Sequence, residues 1–137
     1  MIYQQTLEFR TRGRGTTDIV AEVQQVVAAS GIAKGLCNIF LQHTSASLIL
    51  CENADPDVRK DLEMLLSRLA PDGDPAYVHD TEGPDDMAAH ARSVLTSSSI
   101  TIPVSEGKLM LGTWQGLYLY EHRTAPHTRS IISTVTG

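Results

Sequence analysis

Apolar and polar positions alternate weakly from Tyr3 to Phe9, which predicts an edge strand. The next six residues, Arg10-Thr-Arg-Gly-Arg-Gly15, carry no apolar side chain and read as a turn, solvated or in contact with an anion. From about Thr17 to Ser30 the period lengthens. Ile19, Val20, Val23, Val26 and Val27 share a helical stripe, and Gly31 is the stop. Leu36 to Gln42 alternates again, with Cys37, Ile39 and Leu41 on one face opposite Asn38 and Gln42. A Thr-Ser-Ala-Ser stretch leads into a second strand, Leu48 to Cys51. Asp55-Pro56 then reads as a helix start, Asp as cap and Pro at the first helical position. Val58, Leu62, Leu65, Leu66 and Leu69 form its apolar stripe, and Pro71 ends it.

A polar loop covers Asp72 to Gly83, and Pro84 opens a third helix that runs to about Leu95. The last third alternates like strands over Ser99–Val104, Lys108–Thr113, Gln115–His122 and Ser130–Thr136, with connections at Glu106-Gly107 and Ala125-Pro126. About seven strands and three helices predict a single α+β domain over residues 1–137, built on antiparallel, sandwich-like sheet. A doubly wound α/β fold is disfavoured, because no helical crossovers separate the last four strands.

Composition narrows the function classes. At 137 residues, 42% hydrophobic and 20% charged, the chain has the size and balance of one globular domain. Sixteen acidic against eleven basic side chains give a net charge of −5, which argues against a nucleic-acid partner. No apolar run approaches the ~20 residues of a membrane helix, and the first residues lack a signal-like stretch, so a cytoplasmic protein is expected. Cys37 and Cys51 make no framework and read as reduced, part-buried thiols without a catalytic role. Walker, GxGxxG and G-x-S-x-G motifs are absent.

Three polar clusters carry the candidate chemistry. His43 has the parity of Cys37, Ile39 and Leu41, which makes it a core histidine or a cleft group flanked by Thr44, Ser45 and Ser47. In the second cluster, Asp85 and Asp86 sit in a first helical turn, where carboxylates complement the dipole. Asp86 and His90 lie four apart on one face, a spacing that fixes an imidazole for metal binding or proton transfer. His79-Asp80 can fold back on the same helix end. His43, His79 and His90 thus form a candidate three-His metal site with an open position. In the third cluster, Gly112 and Gly116 imply a bulge or a close approach. Glu121 shares the parity of Leu117 and Leu119 and needs a partner such as Arg123 or a nearby His, unless the strand is an edge ending in solvated charge.

Together these clusters resemble the YjbQ family, described as secondary thiamine-phosphate synthase enzymes. The matching stretches are His43-Thr-Ser-Ala-Ser47, Glu52-Asn-Ala-Asp-Pro56, His79-Asp80 with Gly83 through His90, and Leu111-Gly-Thr-Trp-Gln-Gly116 with Glu121-His-Arg123. The resemblance implies a homotrimer with a polar pocket near a subunit boundary. It also implies a transferase that joins a pyrimidine diphosphate to a thiazole phosphate and releases pyrophosphate.

The expected site is therefore a metal or anion pocket for a small phosphorylated substrate. His43, Asp80, Asp86, Glu121 and Arg123 are its expected catalytic residues; Thr44, Ser45, Asn53, Asp55, Trp114 and Gln115 its substrate contacts; His43, His79 and His90 its metal ligands. The cofactor expected is a divalent metal, Zn²⁺, Mn²⁺ or Mg²⁺. Asp55, Asp80, Asp85 and Asp86 suit Mg²⁺, with Arg123 or Arg129 meeting a phosphate, whereas the histidines suit Zn²⁺, Mn²⁺ or Fe. A metal with an open position equally suits phosphoester hydrolysis. A trimer that binds a ligand and turns nothing over is the third reading.

Overall fold

Two antiparallel sheets form in the computed structural model, which describes residues 1–137. In chain order the elements are β1 (Ile2–Arg10), β2 (Gly15–Asp18), α1 (Val20–Ser30), β3 (Gly35–Leu41), β4 (Ala46–Glu52), α2 (Pro56–Leu69), α3 (Asp86–Leu95), β5 (Ser99–Ser105), β6 (Lys108–Leu109), β7 (Gln115–Glu121) and β8 (Thr128–Thr136). The larger sheet has the order β1-β8-β3-β5-β6, and the smaller has β2-β7-β4. β1 is an edge strand, as its weak alternation implied. The result is an α+β domain with three helices, as expected.

The alternation in β3 and β8 sets the register. Leu41 lies opposite Ile131 and Cys37 opposite Val135, so one face of the large sheet is apolar. That face meets Leu117 and Leu119 of β7 with Ala46 and Leu48 of β4, and Val23, Val26 and Val27 of α1 close the same core. β7 is central rather than the edge strand one reading allowed. From Gly116 to Glu121 every residue is buried, because the second face of the small sheet lies under α2 and α3. Gly116 is required there: a Cβ would come within 2.6 Å of the Tyr118 ring.

Several boundaries differ from the expected ones. Gly15–Asp18, read as the end of the turn and the start of a helix at about Thr17, is a strand paired with Tyr118–Glu121, and the Asp18 carboxylate accepts the Val20 N–H (2.9 Å) where α1 begins. The strand expected at Lys108–Thr113 pairs only over Lys108–Leu109. Leu48–Cys51 extends to Ala46–Glu52. One unexpected short strand, β2, raises the count from about seven to eight, since pairing rather than periodicity defines it. Asp55 caps α2 as expected, accepting the Asp57 N–H at 2.9 Å. The apolar stripe of α2 behaves otherwise: Leu66 is buried, but Leu65 and Leu69 are exposed beside Leu50 and Leu95. No helix is long and apolar enough to cross a membrane.

Both cysteines are free thiols, and burial raises the pKa of each. Cys37 is enclosed in the core with Sγ 3.6 Å from Ser133 Oγ. Replacing both with Ala is expected to cost about 1–2 kcal/mol of packing and to leave metal affinity unchanged. Urea unfolding beside a zinc titration checks this, and a loss of zinc binding by the folded variant would refute it.

Candidate metal centre

The loop after α2 and the first turns of α3 converge on one carboxylate. The Asp86 carboxylate, only 3% exposed, lies 2.7 Å from His79 Nε2 and 3.3 Å from His90 Nε2, both through Oδ2. Its other oxygen, Oδ1, accepts from Arg123 Nη1 at 2.8 Å. Asp86 and His90 meet because four residues make about one helical turn. His79 arrives through the loop, and the two imidazoles stand edge to face with centroids 5.3 Å apart. Burial alone would push the Asp86 carboxyl up; its neighbours, led by the hydrogen bond with His79, outweigh that and hold it below the usual range.

The carboxylate is positioned by an ion-pair lattice. Arg123 donates through Nε to Asp85 Oδ2 (2.9 Å) and through Nη2 to the Glu82 carbonyl (2.9 Å). The Thr124 N–H also donates to Asp85 Oδ2 at 2.9 Å. Burial opposes ionisation of Asp85, yet these donors lower its carboxyl to about 2. Arg123 therefore fixes the carboxylates from behind and is not free for a phosphate.

Donor atoms of His79, Asp86 and His90 all lie within 4.8 Å of one another, so small side-chain adjustments would bring them onto one ion with ligand distances near ~2.0–2.2 Å. Two imidazoles and one carboxylate fit Zn²⁺, Mn²⁺ or Fe²⁺ better than Mg²⁺. His79 is 47% exposed and His90 31%, so further coordination positions face solvent. The two histidines also line different cavities. One, of about 350 Å³, includes His79, Asp80, Tyr77 and Met87. The other, of about 360 Å³, includes His90, His43, Thr44 and Ser93.

His43, the third expected ligand, lies outside this cluster, and Asp86 is its third member. His43 Nε2 accepts the Ser130 N–H (2.8 Å), and its Nδ1 lies 3.4 Å from Arg129 Nη1, so both ring nitrogens face protein donors. Burial, then the Arg129 charge, lowers its pKa. His43 and Thr44 remain cavity groups beside His90, and Asp80 is exposed beside His79. Glu121 has a structural job. It is buried and accepts from Thr11 Oγ1, Arg129 Nε and Nη2, and the Arg123 N–H. Arg129, the other candidate phosphate group, is consumed by Glu121 and by Ser45 Oγ (2.9 Å).

The remaining expected contacts lie elsewhere. Asn53 and Asp55 follow β4, and Trp114 and Gln115 stand at the start of β7, at the Glu52/Gln115 end of that strand pair. The histidine cluster is at the Ala46/Glu121 end, about 20 Å along the strands. Asn53 Nδ2 donates to the Thr113 carbonyl, and Gln115 Oε1 accepts the Gly112 N–H, so both hold the turn. Trp114 is exposed. The sequence reading missed the layer behind β7: Glu63 Oε1 accepts from Tyr120 and from the fully buried Arg92. Tyr118, Tyr120 and His122 at one strand parity were its signal, since such side chains bury a ring only beside a polar partner.

Comparison with known proteins agrees with this architecture. The family description "UPF0047 protein YjbQ-like" matches residues 5–137. The UPF0047 protein sll1880 of Synechocystis sp. is 49% identical over 135 residues, 98% of this chain and 92% of that one. The YjbQ protein of Escherichia coli O157:H7 is 43% identical over 138 residues, covering 100% and 99%. A YjbQ/UPF0047 family structure from Clostridium acetobutylicum superposes with a TM-score of 0.85 at 34% identity, over 97% of this chain and 98% of that one. The chain belongs to the YjbQ (UPF0047) family.

Proposed function

We propose that this protein is a metal-dependent enzyme acting on a small phosphorylated substrate, with His79, Asp86 and His90 as the metal ligands. The observation that carries this reading is the convergence of two imidazoles on a carboxylate held by Arg123, with cavities on both sides. A divalent cation held there would neutralise charge on a departing phosphate or pyrophosphate, or activate a water. The first reaction to test is the one the sequence resemblance implies, transfer of a pyrimidine diphosphate to a thiazole phosphate. Phosphoester hydrolysis is second, favoured by the solvent-facing side of the two histidines. His43, Thr44 and Asp80 line the cavities, which supports them as substrate contacts.

Assembly as a homotrimer belongs to the same reading. Leu50, Leu65, Leu69 and Leu95 leave an apolar groove, and Trp114 is exposed at the far end of β4 and β7, so a second copy would have both to cover. A neighbouring copy would also bring the Asn53–Trp114 end toward the histidine cluster. A cytoplasmic location goes with a phosphorylated metabolite as substrate.

Truncating His79 or His90 to Ala should weaken zinc or manganese binding by about 100-fold or more, while melting stays near wild type because both side chains are partly exposed. Complementation of a thiamine auxotroph by wild type but by neither variant supports the transferase; hydrolysis of phosphoesters without complementation supports the second reaction. Metal affinity unchanged in both variants would refute the centre. Sedimentation of a stable monomer at micromolar concentration would refute the trimer.

A further inference from the structure

The basic loop between β1 and β2 has no part in the metal centre. Most arginines here are spoken for: Arg123 by Asp85 and Asp86, Arg129 by Glu121, Arg92 by Glu63, Arg14 by Asp72. Arg10 and Arg12 differ. Neither guanidinium has a hydrogen-bond or ion-pair partner, and both line a cavity of about 420 Å³ that contains no apolar side chain. Thr16 and Thr17 of β2 complete its lining.

The backbone contributes as well. The N–H groups of Arg12, Gly13 and Arg14 have no acceptor in the chain. Gly13 has φ +104° and Gly15 has φ +146°, conformations that side chains disfavour, and a Cβ on Gly13 would come within 2.4 Å of the Thr124 carbonyl oxygen. Runs of free N–H groups at such turns make concavities suited to anions. The loop is held in shape at both ends. The Thr11 N–H donates to the His127 carbonyl (2.7 Å), and Arg14 makes a two-pronged bond to Asp72 (2.8 Å each) besides donating to the His122 carbonyl. A neighbouring cavity of about 390 Å³ shares Arg14, Gly15 and Thr16 and is lined further by Arg59, Lys60 and Glu63.

We propose that the Arg10–Thr17 loop is a binding site for the phosphate group of a small phosphorylated molecule, held by the Arg10 and Arg12 guanidiniums and the free N–H groups. Guanidinium forks match phosphate oxygens in geometry as well as charge. A small anion is the fitting occupant, because a chain of net charge −5 repels a long polyanion everywhere except at this patch. The site is separate from the histidine cluster and does not rest on a metal being bound there.

Calorimetric titration with inorganic pyrophosphate, in the presence of EDTA, tests it. Arg10→Gln/Arg12→Gln is compared with wild type, with His79→Ala, and with Arg68→Gln/Lys108→Gln, which removes equal charge from exposed positions outside the loop. Both double variants change exposed side chains, so folding should survive. The expected result is binding to wild type, His79→Ala and the charge control alike, with affinity at least about tenfold lower in Arg10→Gln/Arg12→Gln. No binding to wild type, an equal loss in both double variants, a loss confined to His79→Ala, or tighter binding of a single-stranded oligonucleotide than of pyrophosphate would each overturn the proposal.

Discussion

Glu121→Ala is expected to destabilise the fold by about 3–5 kcal/mol, with Glu121→Gln losing less. The side chain is 1% exposed and its partner Arg129 is 5% exposed, so truncation would leave a guanidinium enclosed without its counter-charge. The same carboxylate also satisfies the Thr11 hydroxyl and the Arg123 N–H, which tie the β1–β2 connection and the end of β7 together. Burial by itself would raise the Glu121 carboxyl. The hydrogen bonds from Arg129, the Arg123 N–H and Thr11, with the Arg129 charge, together outweigh it and lower the pKa, so the site favours the charged form. Urea unfolding at neutral pH measures the effect. A variant within about 1 kcal/mol of wild type would show that Arg129 finds another partner and that Glu121 is free for chemistry after all.

Glu121 also shows what the sequence could and could not reveal. Parity marked it as an acid following Leu117 and Leu119 onto a buried face, and a partner was required; Arg123 or a nearby histidine was the expected one, while Arg129 was expected at a phosphate. Distance along the chain does not decide between Arg123 and Arg129, and the sheet does: Arg129 points its fork at the carboxylate, while Arg123 gives only its backbone N–H and turns its side chain to Asp85 and Asp86. Local features were legible for the same reason that they are local. The Asp55 cap, the Asp86/His90 spacing and the Cys37–Leu41 alternation each depend on a few neighbours. Register is not local. The grouping of Asn53, Asp55, Trp114 and Gln115 with His43 required β4 and β7 to bring both their ends to one place, and an antiparallel pair of seven-residue strands keeps those ends apart. His43 failed as a ligand for a related reason, since the Ser130 N–H that occupies its ring nitrogen belongs to a strand that pairs with β3 from the far end of the chain.

Lowering the pH from 6.5 to 4 should cost on the order of 3 kcal/mol through His122 alone. This imidazole is fully buried, with Nε2 2.8 Å from Ser47 Oγ, its ring 4.5 Å from that of Tyr120, and no partner for Nδ1. Burial, then the positive charge of Arg92, pushes its pKa down from 6.5 to about 3. Above pH 6.5 the ring is neutral folded or unfolded, and it contributes nothing to pH dependence. Below 6.5 the unfolded chain takes a proton that the folded chain refuses, so stability falls by about 1.4 kcal/mol per pH unit until the folded ring also titrates, at about 3. His43, whose pKa is also lowered, adds a loss of the same sign. Asp85 acts later: its stabilisation is complete above its unfolded value of 3.8 and disappears as pH falls through about 2. The acid limb therefore has two parts, histidine first and carboxylate second. His122→Asn separates them, because it removes the ring that titrates while leaving Asp85 and His43 in place. The variant should be less stable than wild type at pH 7, from lost packing against Tyr120, yet lose less further stability between pH 6.5 and 4. Unfolding free energies measured by urea at pH 7, 6, 5 and 4 give the two slopes, and equal slopes for wild type and variant would mean that the folded protein protonates His122 as readily as the unfolded chain does.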